Sequence, residues 1–299
     1  MDAYRKEAAA FDQRVLDLYD DYVHGRVDRR GFLAGAAQFA VGGATAAALL
    51  AALTPQYAFA AQVAADDPRV TTVYRTFPAP QGHGEGRGLL AMPRAEGRHP
   101  VVLVVHENRG LNPYIEDVAR RLAVAGFIAF APDALYPLGG YPGNDDAGRE
   151  MQASLDRISV LADLEAAARF AHALPRSTGK LGVVGFCFGG LVANLLASRL
   201  PELVDAGVPY YGGQPSADEA ARIRAPLLLH FAELDTRVNA GWPAYEQQLK
   251  AAGVAYAAHV YPAVNHGFHN DTTPRYDQAA AALSWQRTLA FFREHLAKS

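Results

Sequence analysis

The sequence has a single cysteine among its 299 residues, and this scarcity excludes several classes of protein. One cysteine cannot form an intrachain disulfide, a Cys-x-x-Cys redox pair or a cysteine-based zinc finger. Net charge is also small, at -3, with an isoelectric point of about 6.4, so the chain lacks the basic character typical of nucleic-acid binding. The ten histidines form no dense cluster along the sequence. We therefore expect no metal, no other cofactor and no nucleic-acid partner.

The composition is that of a globular protein. Hydrophobic residues make up 50% of the chain and charged residues 20%, which excludes a mainly disordered protein. A chain of this length can bury a core that needs no disulfide or metal for stability. All-parallel α/β folds of roughly 200–250 residues commonly form one unit, so the length does not by itself require two large domains.

Residues 1–60 form a region of different character from the rest. Arg29 and Arg30 precede an uncharged stretch, residues 31–53, that is mostly alanine and glycine. Ala58-Phe59-Ala60 has the small-x-small form that signal peptidases accept. Charged, apolar and small-residue segments in this order resemble a twin-arginine export signal. The pattern predicts export to the periplasm by the twin-arginine machinery, with cleavage after Ala60.

Two other interpretations of this region stay open. The apolar run of about 23 residues, 31–53, could be a retained membrane anchor, since roughly 20 residues span a bilayer. It could also be a helix packed on the surface of the domain in a cytoplasmic protein. The long polar lead before the arginines, with apolar residues at helical spacing, keeps this second possibility open.

Residues 66–299 predict one α/β domain, because strand-like and helix-like runs alternate to the end of the chain. Residues 101–105 are apolar on both faces, as in a central parallel strand. We therefore expect a mostly parallel, doubly wound sheet flanked by helices. The other predicted elements include an antiparallel pair at 71–77 and 88–92, strands at 181–184, 204–210, 227–231 and 257–261, and helices at 155–174, 191–200, 242–252 and 276–296.

The strongest motif is Gly185-Phe186-Cys187-Phe188-Gly189, which lies between a predicted strand and a predicted helix. This is the nucleophile elbow of α/β-hydrolases, with cysteine where serine usually stands. The two glycines let strand and helix approach closely, and the Phe188 N–H at the start of the helix can bind an oxyanion. The same position lowers the pKa of a thiol. The alternative is an inert, buried structural cysteine.

An acid and a base follow in the chain order of α/β-hydrolases, which is nucleophile, acid, histidine. Asp235 follows the strand at 227–231, and His266 follows the strand at 257–261. Both positions lie at the carboxyl edge of the predicted sheet, as Cys187 does. Glu233 is the rival acid and His269 the rival base, whereas His106 and His230 close strands and favour roles in the core.

The loop after strand 101–105 supplies the other half of the predicted pocket. In this fold it donates a second oxyanion N–H, which we assign to Glu107 or Asn108. Alternatively, Glu107 forms an ion pair with Arg109 or caps the following helix. Tyr136, Tyr211 and Trp242 lie in other rim loops, where they could line the pocket or serve in ordinary packing.

Residues 70–297 resemble the dienelactone hydrolase family, also called carboxymethylenebutenolidase-like. The resemblance implies that Cys187, Asp235 and His266 form the triad and that Glu107 contacts the resting thiol. One substrate-binding arginine of the family is absent, because its position is Asn270 here. Arg109 and Arg149 are the candidates for holding a substrate carboxylate. The motifs that carry the resemblance are His106–Asn112, Ala131-Pro132-Asp133, Gly185–Gly190 and Asn265–Phe268.

The sequence therefore predicts a cofactor-independent hydrolase of small esters or lactones that acts through a thioester on Cys187. The alternative from a different class is a non-catalytic binding protein that keeps the hydrolase fold. A thiol redox enzyme is disfavoured, because the chain has no second cysteine to resolve an oxidised one. The sequence does not specify an oligomeric state.

Overall fold

A computed structural model describes residues 7–40, 45–57 and 60–297 of the chain. Its core is one eight-stranded sheet with the order β1-β2-β4-β3-β5-β6-β7-β8. β2 runs antiparallel to both of its neighbours, β1 and β4. All other neighbouring strands in this order are parallel. The strands are Val70–Ala79 (β1), Gly84–Pro93 (β2), His99–Val105 (β3), Ile128–Pro132 (β4), Ser177–Phe186 (β5), Ala206–Tyr210 (β6), Leu227–Ala232 (β7) and Tyr256–Tyr261 (β8).

Helices cover both faces of this sheet, which confirms the predicted α/β class. Val101, Leu103 and Val105 of β3 pack on one side of the sheet with the helices at 157–172 and 188–199. Val102 and Val104 pack on the other side with the helices at 113–124 and 278–295. The helices are Gln13–Val23 (α1), Arg29–Ala36 (α2), Ala46–Leu53 (α3), Pro113–Val124 (α4), Asp145–Ser154 (α5), Arg157–His172 (α6), Phe188–Arg199 (α7), Ala217–Ala220 (α8), Thr236–Asn239 (α9), Trp242–Ala252 (α10) and Gln278–His295 (α11).

The helix predicted over 155–174 begins two residues later, at Arg157, and a further helix, α5, precedes it. Asp156 sets this boundary, because its carboxylate accepts a hydrogen bond from the Ser159 N–H at 2.8 Å and so caps α6. An aspartate before an apolar periodic run is a typical N-cap. The prediction missed the cap because hydrophobic periodicity alone places Leu155 within the helix.

Residues 7–40 and 45–57, here called the N-terminal segment, fold into α1, α2 and α3 around a small apolar cluster of their own. Tyr19, Tyr22, Phe32 and Leu53 are among its buried side chains. Asp28 caps α2 by accepting from the Gly31 N–H at 2.7 Å, so the two predicted signal arginines form the first turn of this short helix.

The described part of this region also contacts the domain, since Asn108 donates to the Val23 carbonyl at 2.8 Å. The cellular location of the protein stays a prediction. The stretch predicted as a possible anchor, residues 31–53, contains most of the eight-residue helix α2 and the whole of the eight-residue helix α3. In the part of the chain that the structure describes, no helix has the length and apolarity to cross a membrane. The cleavage motif includes Ala58 and Phe59, which lie outside the described residues, and twin-arginine export stays a prediction.

Candidate active site

Cys187 occupies a sharp turn between β5 and α7. The strand ends at Phe186, Cys187 has φ of 55° and ψ of -111°, and the helix begins at Phe188. A positive φ is unfavourable for any residue except glycine, so the surrounding structure must hold this turn in place. One such contact is the hydrogen bond from the Cys187 N–H to the Tyr210 carbonyl, at 3.1 Å. The structure thus confirms the predicted strand–turn–helix arrangement.

The glycines of the turn allow this close approach. A Cβ atom at position 185 would lie 1.8 Å from the carbonyl oxygen of Gly189, a backbone atom that cannot move without disrupting the turn. We expect Gly185→Ala to lower the free energy of unfolding by about 3 kcal/mol or more. Gly213→Ala is the matched control, because its Cβ would meet side-chain atoms no closer than 3.9 Å. Chemical denaturation of both variants tests this; equal stabilities would contradict the steric argument.

Asp235 and His266 meet beside the turn, as their order in the chain predicted. His266 Nδ1 lies 2.5 Å from Asp235 Oδ2. A carboxylate only accepts hydrogen bonds, so Nδ1 carries the proton and Nε2 is the basic nitrogen of the neutral ring. Among the described residues Nε2 has no hydrogen-bond partner, although it is buried. A ring nitrogen of His266 lies within 4.8 Å of Cys187 Sγ.

The rival acid and base are engaged elsewhere. Glu233 accepts a hydrogen bond from the Ala263 N–H at 2.7 Å. His269 Nδ1 lies 2.7 Å from the Tyr114 hydroxyl, and burial holds the pKa of His269 well below its usual value. His106 and His230 are fully buried among core side chains, as their places at strand ends predicted.

The charges at the site favour an ion pair between sulfur and imidazole. Burial disfavours the thiolate, but His266 and His24 outweigh it and hold the pKa of Cys187 well below its usual value. Burial likewise disfavours the imidazolium, but Cys187 and Asp235 outweigh it and raise the pKa of His266 to about 10. Since the two groups interact strongly, these values describe the pair rather than either residue alone.

His24, at the end of α1 in the N-terminal segment, is a site residue that the sequence analysis missed. Its Nε2 atom lies 3.3 Å from Cys187 Sγ, and its ring lies edge-on to His266 with centroids 4.7 Å apart. It stands 163 positions before Cys187, in a region interpreted as an export signal. No local pattern connects the two positions, so only the folded structure shows their contact.

Glu107 contacts Asn270 rather than the thiol. Its Oε2 atom accepts from Asn270 Nδ2 at 2.9 Å, whereas the side chain hydrogen-bonded to sulfur is His24. The alternatives considered for Glu107 do not hold either, because Arg109 pairs with Asp145 at 2.7 Å and Asn112 caps α4. Burial raises the pKa of Glu107, which favours its neutral form. The family resemblance places an arginine at position 270. In this chain that position is Asn270, and its amide donates the hydrogen bond to Glu107.

A cavity of about 670 Å³ opens in front of Cys187. Of the five side chains predicted to bind substrate, Arg149 and Tyr211 line it. Asn108, predicted as an oxyanion donor, also lines it, and its side chain donates to the Val23 carbonyl at 2.8 Å. The apolar part of the wall comes from α6, α7 and the link between α5 and α6, and it includes Leu155, Val160, Leu161, Leu191, Val192 and Leu195.

The other three predicted substrate contacts do not line this cavity. Arg109 is buried in its ion pair with Asp145. The Tyr136 hydroxyl donates to Glu85 at 2.9 Å in a solvent-exposed contact. Trp242 packs against Phe231 and Tyr256, with ring centroids 5.0 and 5.8 Å away. These three side chains point away from the cavity, because a place in a rim loop does not fix the direction in which a side chain points.

His24, Cys187 and His266 are also the described residues that could hold a metal ion, since their ligand atoms all lie within 4.8 Å of one another. The sequence predicted no such cluster, because the three positions are far apart in the chain. The guanidinium of Arg237 lies 3.3 Å from His24 Nε2 and 3.4 Å from His266 Nδ1. Its positive charge opposes a cation at this place.

The sheet, the turn at Cys187 and the neighbouring His266 and Asp235 define the class of protein as an α/β-hydrolase with a thiol at the nucleophile position. Residues 87–296 match the dienelactone hydrolase family. The chain belongs to that family, and it is a hydrolase of carboxylic esters or lactones. Residues 1–41 match a second, separate family described as YqhI-like.

Individual relatives agree with this assignment. The chain is 60% identical over 113 residues to the "Putative hydrolase fragment YghX" of Escherichia coli, which covers 38% of this chain and 97% of the relative. It is 34% identical over 227 residues to a "Putative carboxymethylenebutenolidase" of Synechocystis, which covers 70% and 92%. A dienelactone hydrolase-like promiscuous phosphotriesterase, P91 from metagenomic libraries, has a similar crystal structure, with 26% identity and a TM-score of 0.65 over 77% of this chain and all of that one.

Proposed function

We propose that the protein hydrolyses esters or lactones through a thioester on Cys187, with His266 as acid and base and Asp235 as its partner. The observation that carries this proposal is the position of the His266 ring: Nδ1 lies 2.5 Å from Asp235, Nε2 is buried, and a ring nitrogen lies within 4.8 Å of Cys187 Sγ. Nucleophile, base and orienting acid in hydrogen-bonding order are the parts that acyl transfer requires.

Acylation begins with the proton of the Cys187 thiol on His266 Nε2. The thiolate attacks the carbonyl carbon, and the carbonyl oxygen becomes an oxyanion. Phe188 is the first residue of α7, so its N–H has no partner within the helix and is available to this oxyanion. A second N–H from Glu107 or Asn108 completes the oxyanion site in the proposal. The C–O bond then breaks, and His266 gives its proton to the leaving oxygen.

Deacylation repeats these steps with water. His266, now neutral, takes a proton from a water molecule, and the hydroxide attacks the thioester carbonyl. The C–S bond breaks, the acid product leaves, and the thiolate again faces a protonated His266. Asp235 stabilises the imidazolium that forms in both halves of the reaction, because its carboxylate lies 2.5 Å from Nδ1.

The cavity indicates the kind of substrate. Its wall is mainly apolar, with leucine, valine and isoleucine side chains from α6 and α7. Position 270 offers no arginine to clamp a substrate carboxylate, because it is Asn270, whose amide holds Glu107. Arg149 lines the cavity, but its guanidinium donates to the Tyr22 carbonyl at 2.8 Å. We propose that the enzyme prefers uncharged esters or lactones with an apolar acyl group over anionic dienelactones.

Trapping of the intermediate tests the proposed function. We expect acid quenching during turnover of a p-nitrophenyl butyrate substrate to leave one butyryl group on the peptide that contains Cys187, detected by mass spectrometry. Cys187→Ala, incubated in parallel, should carry none. Acyl label on another residue, or turnover without label on any cysteine peptide, contradicts the mechanism. A protein that neither turns over nor is labelled by a panel of esters and lactones supports a binding role instead.

A further inference from the structure

The N-terminal segment brings a second imidazole to the sulfur of Cys187. His24 follows the last turn of α1, and its Nε2 atom lies within hydrogen-bonding distance of Sγ, at 3.3 Å. His24 and its neighbour Gly25 also form part of the cavity wall in front of Cys187. The N-terminal segment therefore contributes directly to the site rather than covering a distant face of the domain.

The ring of His24 is held in one orientation. Its Nδ1 atom lies 2.7 Å from the backbone carbonyl oxygen of Asp20, which can only accept, so Nδ1 carries a hydrogen. The Asp20 carboxylate lies 3.3 Å from the same nitrogen and also accepts from Arg275 at 3.1 Å and Arg26 at 2.9 Å. Asp20 and His24 thus form a second pair of carboxylate and imidazole, comparable to Asp235 and His266, with Nε2 directed at the same sulfur.

Side chains of the hydrolase domain fix the backbone just before His24. Arg149 donates to the Tyr22 carbonyl at 2.8 Å, and Asn108 donates to the Val23 carbonyl at 2.8 Å. The Tyr22 hydroxyl donates to Asp146 at 2.5 Å. Arg149 was predicted to bind substrate and Asn108 to donate to the oxyanion. Both side chains therefore position the N-terminal segment. An imidazole held this firmly can act on a reacting atom.

We propose that His24 is a further catalytic residue, whose protonated ring stabilises the Cys187 thiolate while His266 transfers protons to and from the substrate. This inference rests on the proposed thiol mechanism and on an enzyme that retains its N-terminal segment, because cleavage after Ala60 would remove His24. The thiolate is the attacking group in acylation and the leaving group in deacylation, so a hydrogen bond from Nε2–H assists both halves. His24 keeps its proton throughout, and no atom or electron is added to the reaction.

The charges that face the two groups are compatible with this role. Asp20, Asp235 and Glu107 supply acidic groups around them, and His266, Arg237 and Arg275 supply basic ones. Burial lowers the pKa of His24, but Cys187 and Asp20 outweigh it and raise the pKa above its usual value. This shift favours the protonated ring, and a protonated imidazole next to a thiolate gives a charge-assisted hydrogen bond.

The test measures the reactivity of the thiol as well as turnover. We expect His24→Gln to shift the pH midpoint of Cys187 alkylation by iodoacetamide upward by about one unit or more and to lower kcat/KM by about 10–100-fold. Arg14→Ala is the matched control on α1, because Arg14 pairs with Asp12 on the exposed side of the helix. It should match the wild type in both measurements.

A second variant separates chemistry from packing. We expect added imidazole to restore part of the activity of His24→Ala, because the missing ring borders the open cavity; a purely structural role gives no rescue. Unchanged thiol reactivity and kcat/KM in His24→Gln overturn the inference, and so does higher activity, which would make His24 a blocking contact. Cys187→Ala keeps the two proposals apart, since its full activity defeats the thiol mechanism whatever His24 does.

Discussion

Cys187→Ala is expected to lower kcat/KM for ester hydrolysis by about 10⁴-fold or more, because no other group stands at the turn to form the acyl intermediate. Any residual rate comes from the oxyanion donors and from binding in the cavity. The replacement removes one sulfur atom and keeps a Cβ at φ of 55°, so the turn itself should persist. Steady-state kinetics on an activated ester measures the effect.

Cys187→Ser is the informative companion of the alanine variant. A serine hydroxyl keeps the position of the nucleophile but has a much higher pKa than a thiol, so His24 and His266 cannot hold it ionised. We expect serine to retain more activity than alanine and far less than cysteine. Thermal unfolding of both variants near the wild-type midpoint serves as the control. Wild-type kcat/KM in Cys187→Ala would eliminate the thiol mechanism.

His266→Ala is expected to lower kcat by about 10³-fold or more, with deacylation affected most. Without this ring no side chain gives a proton to the leaving oxygen or takes one from water. His24 remains 3.3 Å from the sulfur, so alkylation of the thiol should fall less than turnover does. A burst of p-nitrophenol followed by a stalled acyl-enzyme is the expected kinetic pattern.

The pH profile of the wild type provides a related measure of His266. Because its pKa is raised to about 10, the imidazolium paired with the thiolate persists through neutral pH and is lost only as pH rises through that value. The pKa of Cys187 is held well below its usual value. The fall of kcat/KM on the acidic side should therefore lie well below the pH at which an ordinary thiol loses its proton. We expect kcat/KM to be flat around neutrality and to fall above about pH 10.

His172→Ala is the control for the loss of an imidazole, because the His172 ring contacts the Gly179 carbonyl at 3.1 Å and takes no part in the site. It should match the wild type at every pH. An alkaline limb that keeps its position in Asp235→Asn, or a His266→Ala variant that turns over at the wild-type rate, would contradict the assignment of the base.

Parallel topology made much of the site predictable. The carboxyl ends of β5, β7 and β8 lie at one edge of the sheet, so residues in the following loops become neighbours. Cys187, Asp235 and His266 could be selected because each follows, within a few residues, a run that predicts a strand. The antiparallel pair β1 and β2 was found in the same way, although each strand extends beyond the predicted bounds.

Side-chain direction was less predictable than position. Tyr211 and Trp242 were both placed in rim loops, yet Tyr211 lies against His266, with ring centroids 4.9 Å apart, while Trp242 packs against Phe231 in the core. The difference depends on backbone dihedral angles in the loops, such as the φ of 35° at Tyr211, and those angles come from tertiary packing.

The sequence by itself determined the α/β class, the strand–turn–helix around Cys187 and the order of acid and base, because hydrophobic periodicity and glycine spacing are local properties of the chain. Tertiary structure decided the partners of each polar group: Asn270 with Glu107, Arg149 with the Tyr22 carbonyl, and His24 with the sulfur. These contacts join segments that are distant in sequence. The contacts of Arg149 and His24 form only when the N-terminal segment packs against the domain, and no local pattern encodes that packing.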